Sequence, residues 1–288
     1  MMATALEQVS AHRCHGGWQR FYRHDSAEIG LPMRFSVFVP PQAANGPVPA
    51  LVYLAGLTCT EETFAIKGGA QRLAAELGIM LIAPDTSPRG ANVPGEDDAW
   101  DFGTGAGFYL DATTDQWKQH YRMFSYITSE LHGIACDTLG ADPARIGIFG
   151  HSMGGHGALT LALRTNGQYR SVSAFAPIAA PSQCPWGEKA FGGYLGDERT
   201  AWAEYDATAL IENAGRAVYP DGILIDQGEA DQFLPTQLHP DTFAAACATA
   251  GQPLTLRRHA DYDHGYYFIS TFMDDHIRFH AERLGVTA

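Results

Sequence analysis

Gly150-His151-Ser152-Met153-Gly154 sets a serine between two glycines, directly after an apolar run and directly before a helix-like one. Arg145-Ile146-Gly147-Ile148-Phe149 reads as a buried strand, and Gly155 to Leu163 as the packed helix that follows. A serine in such a sharp turn must take an unusual backbone conformation, and glycines on either side keep neighbouring Cβ atoms out of its way. Its hydroxyl then stands at a helix N-terminus, where the dipole and free N–H groups favour the negative charge that builds up in acyl transfer. This is the pattern of a nucleophile elbow. The plain alternative, in which Ser152 only caps the helix, leaves unexplained the acid and the histidine that follow it in order.

The acid comes after Gly222-Ile223-Leu224-Ile225-Asp226-Gln227-Gly228, a strand that stops at Gly228, with Asp231 in the loop beyond. Asp226, at the strand end, competes with Asp231 for the role, since either could point towards an imidazole. The histidine is His264, in the polar loop Asp261 to Gly265 between a last strand, Leu254 to Arg258, and an aromatic helix opening at Tyr266. Ser, Asp, His is the chain order of the α/β-hydrolase fold and differs from that of trypsin-like and subtilisin-like proteases.

The rest of the pattern agrees with that fold class. An antiparallel start, Trp18 to His24 and Met33 to Val39, turns at Gly30-Leu31-Pro32. Short apolar runs at Ala50 to Leu54 and Ile79 to Ala83 then flank a helical segment near Glu61 to Leu77. The alternation continues through the elbow strand, Ser173 to Phe175, Ile223 to Asp226 and Leu254 to Arg258. It predicts one α/β domain over residues 1–288: a mostly parallel central sheet with helices on both faces and no large lid domain. The long Pro84 to Thr114 stretch, rich in glycine, acid and aromatics, is expected to wall the active site. A second excursion, Pro181 to Thr208, is expected to be irregular.

Acyl transfer needs two N–H donors aimed at the oxyanion. The residue after the nucleophile, Met153, supplies one, and Leu57 in the Gly56-Leu57-Thr58-Cys59-Thr60 loop is the choice for the second, through its backbone. Trp186, Gln232, Phe233 and Cys59 are candidate substrate contacts. His151 and His156 flank the elbow as supports, while His239, His259 and His276 are expected at the surface. No spacing resembles H-E-x-x-H, so no metal is expected. Gly103-x-Gly105-x-Gly107 lacks the strand and helix of a phosphate loop and reads as a tight loop.

The formal net charge of −13 disfavours nucleic acid and anionic membrane surfaces, and requires that an anionic substrate be met by local cations. Five scattered cysteines with no C-x-x-C spacing indicate free thiols in a reducing compartment. Met1 to Arg20 has no apolar signal region, so a soluble, cytoplasmic protein is expected.

Six segments go beyond a generic hydrolase: Gly56 to Glu61, Gly95 to Thr113, Gly150 to Leu159, Cys184-Pro185-Trp186-Gly187, Asp226 to Leu234, and Tyr262 to Ile269. In that order they resemble the S-formylglutathione hydrolase (esterase D) family over nearly the whole chain. The resemblance implies a cytosolic serine thioesterase of formaldehyde detoxification, often a homodimer and without cofactor, hydrolysing S-formylglutathione to glutathione and formate. It implies Ser152, Asp231 and His264 as the triad, with Leu57 and Met153 at the oxyanion, and Cys59 as a thiol that confers sensitivity to thiol reagents. Glu229 stands where a basic residue would suit a glutathione carboxylate better. Two rival readings are a general short-chain carboxylesterase or acyltransferase of the same fold, and a hydrolase-fold binding protein that has lost activity.

Overall fold

The elbow strand sits near the centre of a nine-stranded sheet ordered β1-β2-β3-β5-β4-β6-β7-β8-β9 in a computed structural model, which describes residues 5–165 and 167–286. The strands are β1 (Glu7–Cys14), β2 (Gly17–Asp25), β3 (Pro32–Val39), β4 (Val48–Leu54), β5 (Met80–Pro84), β6 (Ala141–His151), β7 (Ser171–Phe175), β8 (Ile223–Gly228) and β9 (Leu254–His259). The first three pairs across the sheet, β1·β2, β2·β3 and β3·β5, are antiparallel, and every pair from β5·β4 to β8·β9 is parallel. This is the α/β-hydrolase fold.

The antiparallel start has one strand more than expected. β1 pairs with β2 outside the predicted hairpin, and carries a bulge between Gln8 and Ser10. Its polar, largely exposed sequence lacks the apolar signal of the inner strands. By contrast β4, β5, β7 and β8 are buried at every residue, because helices cover both faces of a parallel sheet; β4 and β5 read as apolar runs, while β7 and β8 also enclose Ser171, Ser173, Asp226 and Gln227.

Two expectations are corrected. The Glu61 to Leu77 segment is not one helix but two, Glu61–Lys67 and Gln71–Leu77, interrupted at Gly68-Gly69. The Pro181 to Thr208 excursion is largely helical, with its longest helix, Pro185–Leu195, following an N-cap in which the Cys184 sulfur accepts the Gly187 amide and Pro185 stands in the first turn. That helix buries Trp186, Phe191 and Tyr194, which pack on Phe233, His156 and Phe102, and is a small cover rather than a lid domain. Among the described residues, no helix is long and apolar enough to cross a membrane.

In a parallel sheet every strand delivers its carboxyl end to one side, which is where such folds hold their ligands. The segments that follow β4, β6, β8 and β9 are the ones that carry Leu57, Ser152, Asp231 and His264.

Candidate active site

Ser152 has φ +58°, a left-handed conformation that costs a non-glycine residue about 1–3 kcal/mol and persists only when its surroundings hold it. Three hydrogen bonds hold this turn. The Ser152 amide donates to the Phe175 carbonyl at 3.0 Å, and the Ser152 carbonyl accepts from the amides of His156 at 2.9 Å and Ile178 at 3.2 Å. The following helix, Met153–Thr165, is buried from Met153 through Leu163. A Cβ on Gly154 would stand 1.9 Å from the Leu54 carbonyl oxygen, so only glycine lets the helix approach β4 this closely.

Asp231 lies just past β8, and its carboxylate Oδ2 is 2.5 Å from His264 Nδ1. The same carboxylate accepts the Phe233 amide at 2.8 Å and the Gln227 side-chain amide at 3.3 Å, which fixes its plane in the buried loop. A hydrogen bond at Nδ1 leaves Nε2 as the free ring nitrogen. His264 is packed between two rings: His151 at a centroid distance of 4.4 Å and Phe233, edge-on, at 4.9 Å.

Asp226 has a different partner set. It is fully buried and accepts both arms of the Arg257 guanidinium, Nε and an η nitrogen, at 2.6 Å each, while His276 Nε2 lies 3.2 Å away. Burial pushes its carboxyl up, but the hydrogen bonds and charges of His276 and Arg257 outweigh that and hold it well below the carboxylate range. His276, expected at the surface, is wholly buried: it stacks on Phe175 at 3.7 Å and its Nδ1 meets Ser173 Oγ at 2.8 Å. The correction has a simple cause, since the C-terminal helix Tyr266–Arg283 packs His276 and His280 against the sheet, where β7 offers Ser171 and Ser173 as partners. His259 is likewise mostly covered, stacked on Phe272 at 3.8 Å.

The loop after β4 approaches the serine closely. A Cβ on Gly56 would lie 3.2 Å from both Ser152 Cβ and His151 Nδ1. The turn Gly56 to Cys59 closes with the Cys59 amide on the Gly56 carbonyl, and Thr58 takes φ +67°. Among the described residues the Leu57 and Met153 amides donate to no backbone carbonyl, Met153 being the first residue of its helix. Sequence reasoning missed what holds this loop in place. The Thr58 amide donates to the Gly105 carbonyl, Tyr109 Oη to the Ala55 carbonyl at 2.8 Å, and Thr86 Oγ1 and Arg89 to the Cys59 carbonyl. Arg89 is itself clamped to Asp85 by two bonds of 2.7 and 2.8 Å. The Gly103 to Gly107 run was thus legible as a tight loop, but not as the support of the loop after β4. The Asp85-x-x-x-Arg89 spacing after β5 was the available signal.

Of the candidate substrate contacts, Trp186 and Phe233 pack together at 4.7 Å, Gln232 is exposed, and Cys59 is half-buried. Burial pushes the Cys59 thiol up, with Thr63, Tyr266 and Lys67 acting against it. His156 Nε2 donates to the Phe108 carbonyl at 3.0 Å, and burial takes its pKa down to about 4, so it is neutral in the fold.

Comparison with known proteins gives the family. Residues 26–279 match the family described as putative esterases. The chain is 55% identical to an S-formylglutathione hydrolase of Mus musculus over 97% of this chain and 99% of that one. It is 51% identical to one from Arabidopsis thaliana, over 98% and 99%. A solved S-formylglutathione hydrolase from Agrobacterium tumefaciens superposes with a TM-score of 0.94 at 50% identity, covering 97% of this chain and 100% of that one. A fluorophosphonate-binding serine hydrolase of Staphylococcus aureus, with a TM-score of 0.72 at 18% identity, shares the fold. The chain therefore belongs to the S-formylglutathione hydrolase family of esterases.

Proposed function

We propose that Ser152, His264 and Asp231 carry out the hydrolysis of S-formylglutathione to glutathione and formate. The observation that supports this most is the Asp231–His264 pair, packed on His151, the residue that precedes a serine held in a left-handed elbow. Asp231 keeps the Nδ1 proton on His264 and leaves Nε2 to take the proton of Ser152 as Oγ attacks the formyl carbonyl. The tetrahedral oxyanion is met by the Leu57 amide, in the loop after β4, and the Met153 amide, at the start of the helix after the elbow, two preorganised donors. Collapse breaks the C–S bond, and His264 returns its proton to the glutathione thiolate. Water then attacks the formyl-serine, with His264 again as base, and releases formate and the serine hydroxyl.

Kinetics of Ser152→Ala with S-formylglutathione test the assignment. Activity is expected to fall about 10³-fold or more, leaving what the oxyanion donors and binding supply. A residual rate above roughly a tenth of wild type would remove Ser152 from the role. A formyl thioester carries only hydrogen on its carbonyl, so each methylene added to the acyl group is expected to cost about 1–3 kcal/mol. Acetyl and butyryl thioesters reacting as well as the formyl one would favour the general carboxylesterase.

The working unit in this reading is a homodimer in the cytosol. The free state of all five cysteines agrees with a reducing compartment, and the family resemblance supports the dimer. Light scattering on the purified protein that gave the mass of one chain would overturn the dimer.

A further inference from the structure

The protein's net charge is strongly negative, yet glutathione is anionic, so recognition of the tripeptide needs specific cations near His264. An aromatic path leads from that ring to the surface. Phe233 stands edge-on to His264 at 4.9 Å, Trp186 packs on Phe233 at 4.7 Å, and Trp100 meets Trp186 edge-on at 5.7 Å and 90°. Trp100 is 57% exposed, an unusual cost for so large an apolar side chain. Beside it the path ends in charge. Lys189, one helical turn after Trp186, reaches across to pair with Asp101, the neighbour of Trp100. Nearby, Glu188 is held by Arg199 at 3.1 Å, while Asp97 and Asp98, just before Trp100, are exposed carboxylates that leave Lys189 as the cation paired beside the indole.

We propose that Trp100 and the Lys189–Asp101 pair form the outer subsite that receives the γ-glutamyl end of the substrate, an inference that rests on the S-formylglutathione reading above. That end carries an ammonium and a carboxylate on one carbon. An exposed ion pair suits such a zwitterion, because Lys189 can face the carboxylate and Asp101 the ammonium while both stay partly wet. The γ-glutamyl-cysteine unit is two residues long, about 7 Å extended and longer through its γ-linkage, so from a sulfur held at the catalytic imidazole it reaches outward along this line of rings. The flat indole offers the amide planes of the peptide a rigid apolar face at little conformational cost.

The test compares S-formylglutathione with the S-formyl thioester of N-acetylcysteamine, which has the same reacting group and no charged ends. For Lys189→Met and Trp100→Ala the ratio of kcat/KM for the first to that for the second is expected to drop about tenfold, carried by KM. Lys189→Arg is expected to restore most of it. Circular dichroism and Tm establish that each variant is folded. Retention of the wild-type ratio in either Lys189→Met or Trp100→Ala overturns the subsite. So does a loss seen instead in Lys67→Met, the exposed cation lying 5.9 Å from the Tyr266 ring. A wild-type enzyme with no preference for S-formylglutathione over the cysteamine thioester would fail the substrate reading itself.

Discussion

The imidazole of His151 lies across that of His264, with ring centroids 4.4 Å apart and planes inclined by 49°. His151 is buried, and neither of its ring nitrogens has a hydrogen-bond partner among the described residues. Burial, with the charge of His264 adding to it, keeps His151 well below the usual histidine range, so it stays neutral against the base. Its value to the site is therefore its ring. His151→Ala is expected to open a cavity beside His264, lowering stability by about 2–4 kcal/mol and kcat/KM by about tenfold. His151→Phe keeps a ring and removes two unpartnered polar atoms, so its Tm is expected to equal or exceed that of wild type, with most activity retained. Thermal melts and kinetics on both variants check this, and equal activity losses would deny the ring a positioning role.

Asp231→Asn and Asp226→Asn are expected to fail in different ways. The first removes the acceptor that fixes His264, and is expected to lower kcat by about 10³–10⁴ with little change in Tm. The second leaves Arg257 and His276 facing an amide in a buried site, and is expected to cost about 3–5 kcal/mol of stability with a smaller loss of kcat in the protein that remains folded. Urea unfolding beside steady-state kinetics separates the two. The reverse pattern would mean that the wrong carboxylate has been chosen.

Buried neutral histidines make the fold sensitive to acid. His156 falls to about 4 because burial outweighs its bond to the Phe108 carbonyl, and His151, His276 and His280 are displaced in the same direction, each chiefly by burial. Above about pH 6.5 these groups are neutral in both states and their contribution to stability is complete. As pH falls below that, the unfolded chain takes up protons that the folded chain refuses, so stability is lost, from His156 alone by up to about 3 kcal/mol by pH 4. Tm measured from pH 7 to pH 4 is expected to fall steeply, and His156→Gln is expected to flatten the curve. A Tm independent of pH over this range would contradict the burial of these rings.

Cys59 follows the turn that holds Leu57, so a bulky adduct there is expected to block the donor amides. Because burial raises its thiol above the ordinary range, iodoacetamide is expected to inactivate slowly near neutrality and faster as pH rises past 9. Inactivation of Cys59→Ser to the same extent would place the sensitive thiol elsewhere, although Cys184 and Cys247 are buried and raised to about 11 and about 12.

The local chemistry of the backbone was legible from residues alone. Glycines around Ser152, apolar runs of strand length and the order Ser, Asp, His depend on contacts within a few residues, and they led to the fold and to the segments that meet at the carboxyl ends of the strands. The choice between Asp226 and Asp231 could not be made that way, because both lie close to the end of the same strand, Asp226 within it and Asp231 three residues past it. Sheet register separates them: β8 pairs with β9 so that Asp226 stands opposite Arg257, while Asp231 lies past the strand end, within reach of the loop after β9. The burial of His276 has the same origin. Its helix carries polar and apolar residues around the axis, and only the packing of that helix on β7, with Ser173 and Asp226 at hand, lets an imidazole be fully enclosed at acceptable cost. Strand β1 and the link from the Thr58 amide to the Gly105 carbonyl stayed hidden for a related reason, since both pair main chain with main chain, which carries no residue-specific mark in the sequence.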